Sequence, residues 1–151
     1  MPVIHVETRI HAPPEVCFDL ARDVETHMTS VAVTNERAVA GKTSGLMERG
    51  DWVTWEASHF GVRQCLTAVI TELHRPYYFV DEMTQGIFAR FRHTHRFEAL
   101  PEGTRMVDHF DYTSPLGLLG VVADALFLEA YMRRVLVERC EHLKAIAEGR
   151  A

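Results

Sequence analysis

Residues 51–113 constrain this chain more than any other stretch: short runs of alternating apolar and polar residues, one after another, with only brief breaks between them. Side chains alternate faces along a strand, so the spacing predicts strands over 51–60, 62–74, 77–84, 87–99 and 104–113. The breaks fall at Gly61, Arg75-Pro76, "TQG" at 84–86 and "PEG" at 101–103. Glycine and proline at such points set turns. The period then changes. From 118 to 147, apolar residues stand at Leu119, Val122, Leu126, Ala130, Leu136, Cys140, Leu143 and Ala147, which predicts a helix of roughly eight turns.

Upstream, residues 2–11 alternate weakly and read as an opening strand. "APPEVCFDLARD" then starts a helix, with prolines at the first turn and Glu15 near the positive end of the helix dipole. Val16 and Leu20, with Cys17 and Val24, form its expected apolar stripe. "VETHMTS" reads as a second short helix or turn leading to a strand near "VAVTNERAVAG". The "GKT" at 41–43 is not a phosphate loop, because the required earlier glycine is replaced by Glu36 and no helix pattern follows.

A strand, a helix pair, a run of antiparallel strands and a long terminal helix make an α+β layout. A sheet curved around the long helix buries that helix, and any concavity it leaves unfilled is a cavity. The 151 residues suit one domain over 1–151. With 16 Lys+Arg against 21 Asp+Glu and no basic run, nucleic acid or an anionic membrane is a poor partner. No run approaches the ~18 apolar residues of a membrane span, and the start has no signal-peptide pattern, so a cytoplasmic location is expected. Cys17, Cys65 and Cys140 are odd in number and widely spaced, which argues against a disulfide framework or a CxxC metal site and for small buried thiols. The sequence leaves the oligomeric state open.

Turn arithmetic sets the inward face. On 51–60 the more apolar set is Val53, Trp55, Ala57 and His59. A turn at Phe60-Gly61 pairs residues summing to about 121, which places Gln64, Leu66, Ala68 and Ile70 on the same face. A turn at Arg75-Pro76 sums to about 151 and brings in Asp81 and Met83, with Phe79. A two-residue loop at Gln85-Gly86 would then bury Arg90, Arg92 and Arg96, and buried charges need partners. A three-residue loop or one bulge instead turns Ala89, Phe91, His93, His95 and Phe97 inward. A last turn at Glu102-Gly103 sums to about 205 and adds Met106, Asp108, Phe110 and Tyr112; a register shorter by two puts His95 directly opposite Asp108. A dry core holding this many polar groups is costly, since each unpaired one costs roughly 1–3 kcal/mol. A partly hydrated pocket is expected.

The segments "APPEVCFDLARD", "ERAVAG", "GDWVTWEASHFG", "LTAVIT", "FVDEM", "RHTHRFE" and "MVDHFDYTSPLGLLG" resemble the bacterial ligand-binding SRPBCC proteins of the START, birch-pollen-allergen and polyketide cyclase/dehydrase superfamily. The resemblance implies a helix-grip fold: a curved antiparallel sheet wrapped around a long C-terminal helix, with two short helices after the first strand. It also implies an elongated cavity for an apolar or amphipathic small molecule, without a cofactor. A shared fold does not fix a reaction, and no catalytic residue carries over.

The expected cavity residues are Trp55, His59, Gln64, Asp81, Met83, Phe91, His93, His95, Phe97, Asp108, Phe110 and Tyr112. His93 and His95, one residue apart on a strand, have three readings. They can line the pocket, which is the favoured role. They can act with Asp108 as acid–base groups of a cyclase or dehydratase. They can join His59, Asp81 or Asp108 around a metal, although no local motif supports that and no metal is expected. "SPLGLLG" at 114–120 reads either as a mobile entrance or as a plain linker, and Arg90, Arg92 and Arg96 as a solvated outer strip.

Overall fold

The computed structural model describes residues 3–30, 35–59, 61–114, 122 and 127–149. Among them the alternating runs form β1 (Val3–Ile10), β2 (Arg37–Gly41), β3 (Trp52–His59), β4 (Val62–His74), β5 (Tyr78–Gln85), β6 (Arg90–Leu100) and β7 (Gly103–Thr113). These make one curved antiparallel sheet in the order β1-β7-β6-β5-β4-β3-β2. Two short helices, α1 (Pro14–Ala21) and α2 (Val24–Thr29), follow β1, and α3 (Glu129–Ala147) runs near the end of the chain. This is the expected helix-grip arrangement.

Local chemistry starts each short helix. Pro14 opens α1 with Glu15 in its first turn, and Asp23 caps α2 by accepting the Thr26 N–H at 3.0 Å. The expected stripe on α1 needs correcting. Cys17 and Phe18 are buried, while Val16 is 41% exposed. Two residues are about 200° apart on a helix, so a helix that buries Phe18 turns Val16 outward. Phe18 takes the inward place because its ring meets Phe79 and Phe97 edge-on, each with a centroid separation of 5.3 Å.

The predicted parity holds along the paired strands and fails just before β6, where Ala89, expected inward, is exposed and Phe88 is buried. β3 and β4 pair from Trp52↔Val69 to His59↔Val62, the expected sum of 121. Ile70 faces Asp81 and Ala68 faces Met83 as expected, although β4 has irregularities at Thr67/Ala68 and Ile70/Glu72. Residues 86–89 connect β5 to β6, and Asp81 faces His93, so the odd-numbered side of β6 points inward. Arg90 and Arg92 stay on the outer face, paired with Asp111 and Glu72. Arg96 lies over the Tyr78 ring.

The last hairpin adopts the shorter register. Leu100 faces Gly103 and His95 faces Asp108, so the sum is two below the expected 205. Proline suits the first central position of a tight turn, which centres this one on Pro101-Glu102. Gly103 (φ +153°) then begins β7, and a Cβ there would lie 2.1 Å from the Ile10 carbonyl oxygen. Only glycine lets β7 start this close to the end of β1.

On α3 the buried stripe is Met132, Val135, Leu136, Cys140 and Leu143. Ala130 and Val122, expected on that stripe, are exposed. Ala130 lies about 200° from Met132, so the two cannot share a face. Leu119, Leu126 and most of "SPLGLLG" fall outside the described residues. All three cysteines are free, but only Cys17 and Cys140 are buried. Cys65 is exposed because it faces Glu56 on the outer side of β4, opposite the predicted inner face.

Candidate functional site

Between the concave side of the sheet and the helices lie three adjoining cavities of about 30, 50 and 80 Å³. His27, His93 and Arg139 border all three. The largest has an aromatic side, with Trp55, Phe88, Phe91 and Phe110 facing Met132 and Leu136 of α3, and a polar side that includes Glu36, Asp81, His93 and Arg139. An apolar cavity of about 150 Å³ is enough to hold benzene; the largest of these spaces is about 80 Å³, so a ligand the size of an aromatic ring would draw on more than one of them.

A buried chain of polar groups forms one wall. His95 is held at both ends: Nε2 lies 2.8 Å from Asp81 Oδ1 and Nδ1 lies 2.9 Å from Asp108 Oδ1. Asp108 Oδ1 also meets His93 Nε2 at 2.9 Å, and its Oδ2 accepts from the Cys140 thiol at 3.2 Å. The two imidazoles stack at 3.8 Å, and Phe79 stacks on the other side of His95 at 4.2 Å. Three neighbouring strands supply these groups: Asp81 from β5, the histidines from β6 and Asp108 from β7.

The two histidines carry different charges. Burial alone would lower the pKa of His95, but bonds to Asp108 and Asp81 outweigh it and hold the group at about 9. His93 is lowered, first by burial and then by the neighbouring His95 cation, against the pull of Asp108. His95 is therefore an imidazolium at neutral pH and His93 a neutral base. Burial raises Asp108, yet its two histidine partners lower it further than burial raises it. A neutral His93 donates its Nε2–H to Asp108, which leaves the Nδ1 lone pair without a partner among the described residues.

A second buried group is built from His27 of α2, Glu36 just before β2 and Arg139 of α3. Arg139 Nη2 donates to Glu36 at 2.8 Å, and His27 Nε2 lies 3.3 Å from the other Glu36 oxygen. Despite its burial Glu36 is lowered to about 2 by Arg139 and His27. The His27 ring stacks on Trp55 at 4.0 Å. His59, nearer the rim, has its Nδ1 2.8 Å from the Tyr131 hydroxyl.

Of the expected cavity residues, Trp55, His59, Asp81, Phe91, His93, His95, Asp108 and Phe110 border these spaces. Gln64, Met83, Phe97 and Tyr112 do not. Phe97 is taken up against Phe18. Tyr112 is wholly buried beneath Phe88 and Phe110. Met83 packs on the edge of the core, and Gln64 sits near the β3–β4 turn. Strand parity gives the side of a residue but not whether a neighbour covers it. His27, Glu36, Arg139 and Cys140 were missed. For Arg139 a signal existed: it stands four residues after Val135, at the edge of the buried stripe.

Asp81, His93 and His95 could also hold a metal, since one ligand atom from each lies within 4.8 Å of the others. Coordination would require His95 to give up a carboxylate bond and its proton, because both of its nitrogens are occupied.

The family described as polyketide cyclase/dehydrase and lipid transport matches residues 1–148. No curated protein matches the chain. Many solved structures share the fold, three crystal structures among them. TTHA0849 from Thermus thermophilus is 23% identical, with 95% of this chain and 94% of that one covered and a TM-score of 0.75. The Zhui aromatase/cyclase from Streptomyces sp. R1128 is 16% identical over 99% and 94%, with a TM-score of 0.78. The ginseng major latex-like protein 151 from Panax ginseng is 14% identical over 97% of each chain, with a TM-score of 0.71.

Proposed function

The chain belongs to the polyketide cyclase/dehydrase and lipid transport family, and from that premise we propose that it binds an apolar or amphipathic small molecule in the cavities between sheet and α3, as a single domain. The observation that carries this reading is the aromatic space bordered by Trp55, Phe88, Phe91 and Phe110 beside polar groups at His93 and Arg139. Pockets of this kind combine apolar walls with a few placed polar groups. The free thiols, with Cys65 exposed, suit a reducing compartment such as the cytoplasm. Among the described residues no helix is long and apolar enough to cross a membrane.

Native mass spectrometry after incubation with a panel of single-ring aromatic compounds tests the reading. A one-to-one adduct is expected for the natural sequence. It should disappear in Ala68→Leu, because Ala68 borders two of the cavities and a larger side chain fills them. Absence of any adduct, or one that survives Ala68→Leu unchanged, would count against binding in this space.

A second reading, acid–base catalysis of the cyclase or dehydratase type, draws support from His93. A neutral imidazole oriented by a carboxylate, with its other nitrogen unpartnered at a cavity wall, has what a general base needs. The imidazolium of His95 helps keep it neutral. The expected result is faster exchange of the methyl protons of acetophenone in deuterium oxide with the natural sequence, lost in His93→Gln. Equal exchange by both proteins removes this reading and leaves binding intact.

A further inference from the structure

On the outer face of the sheet, β1 and β7 bring two imidazoles together. His5 stands directly opposite His109, and the alternation of β1 buries Ile4 and Val6 while turning His5 and Glu7 outward. His5 Nδ1 lies 2.6 Å from His109 Nε2, with the ring centroids 4.6 Å apart. His5 is half exposed and His109 partly so, so core packing does not call for the pair. On the far side of the His5 ring, Nε2 lies 3.1 Å from Glu7 Oε1. A carboxylate that takes the Nε2–H leaves the lone pair on Nδ1, facing His109, which is the arrangement found behind metal-binding histidines. Arg105 holds Glu7 and is itself bound to Glu98 at 2.7 Å. The backbone of His5 is fixed as well, because its carbonyl accepts from Arg133 of α3 at 3.2 Å.

We propose that His5 Nδ1 and His109 Nε2 chelate one divalent transition-metal ion of the nickel or copper type on the outer face of the sheet, with water at its remaining positions. Nitrogens about 2.1 Å from one ion stand about 3.0 Å apart at right angles and about 3.4 Å apart in a tetrahedron. The observed 2.6 Å is nearer the first, and right-angled nitrogen positions suit Cu²⁺ and Ni²⁺ rather than tetrahedral Zn²⁺. The ion takes the place of the proton between the two nitrogens, and His109 then carries its proton on Nδ1. Local charge permits this, since Arg105 is balanced by Glu7 and Glu98, and Arg90 by Asp111. Both rings face away from the cavities, so the inference stands apart from the cavity reading.

Calorimetric titration of the protein, carrying no added histidines, with Ni²⁺ tests this. The natural sequence is expected to take up one ion per chain. His5→Gln and His109→Gln should each weaken binding about tenfold or more, because the second imidazole binds intramolecularly. His74→Gln and Cys65→Ser, which change another exposed histidine and the exposed thiol, should leave it unchanged. Zn²⁺ is expected to bind more weakly than Ni²⁺. As a second readout, Ni²⁺ should raise the urea midpoint of the natural sequence but not that of His5→Gln or His109→Gln. Absence of one-to-one binding, or equal weakening in the two control variants, would overturn the proposal. So would binding that survives either histidine substitution, which would place the ion elsewhere, the Asp81, His93 and His95 group included. Tighter binding of Zn²⁺ would overturn the right-angled assignment.

Discussion

Replacing Asp108 by asparagine is expected to lower the unfolding free energy by about 3–5 kcal/mol at pH 7, the scale seen when one partner of a buried ion pair is removed. The carboxylate is 5% exposed and serves three groups at once: His93, His95 and Cys140. Asparagine keeps the shape but loses the charge. The His95 cation is then left with Asp81 alone, and the amide turns a donor either toward the Cys140 thiol or toward a histidine. A midpoint shift in urea at unchanged slope would report this as a change in stability, accompanied by a drop in melting temperature on the order of 10 °C for a chain of this length. The contrasting variant is Asp111→Asn. Its ion pair with Arg90 lies on the outer face with both partners more than a third exposed, and pairs of that kind contribute about 0–1 kcal/mol. If the two variants lose similar small amounts of stability, the buried chain does not hold the sheet together as described.

The second large effect is a loss of stability on the alkaline side. His95 titrates at about 9 in the folded protein and at about 6.5 in an unfolded chain. Because the folded value is the higher one, the group's contribution is complete below about pH 6.5 and is lost as pH rises through 9. A shift of this size corresponds to about 3 kcal/mol. On the acid side the sign reverses. His93 and His27 are lowered, so the unfolded chain takes up protons below about pH 6.5 that the folded protein refuses. Asp81, Asp108 and Glu36, also lowered, withdraw their contributions as pH falls below about 4. Stability should therefore peak near pH 6.5–7. Urea midpoints at pH 6.5, 8 and 9 are expected to fall in that order, and His95→Gln should flatten the trend. The interval ends at 9 because the buried thiols Cys17 and Cys140, both raised, add their own alkaline loss beyond it. A flat profile in the natural protein, or an equal slope in His95→Gln, would show that His95 is not the group responsible.

Replacing buried ion pairs with apolar residues of similar size is often neutral or stabilising, so a fold seeking only rigidity would do as well with leucines at these places. Titratable groups with displaced pKa values collect at sites of binding and chemistry. Here they line the cavities between the concave face and the helices.

How legible this was depended on the range of the interaction. Faces of strands are local: once a residue points inward, the one two places on does too, and short turns carry that parity to the next strand. His93, His95, Asp81 and Asp108 share one side for this reason, and the cost of burying Arg90 and Arg92 sets the parity across the connection from β5 to β6. Turn length was the weak step. Parity survives a shift of two, so the inner face is the same in both registers the sequence allows for the last hairpin, and the structure adopts the shorter one, with His95 opposite Asp108 and Phe97 opposite Met106. Coverage was less legible still, since Phe97 and Tyr112 face inward but are sealed by Phe18 and Phe88.

By itself the sequence determined the strand order in time, the inward faces and the presence of a long terminal helix, because periodicity and turn residues act over a few positions. Tertiary structure alone decided the charges. His93 and His95 are the same residue type on the same face of one strand. One is a cation because carboxylates from β5 and β7 reach both of its nitrogens, and the other is neutral because burial disfavours its charge and the ring of that cation stacks on it at 3.8 Å. The pairing of Arg139 on α3 with Glu36, 103 positions earlier, is decided in the same way. Burial in a low-dielectric interior makes such distances count for far more than they would in water, and no local pattern encodes them.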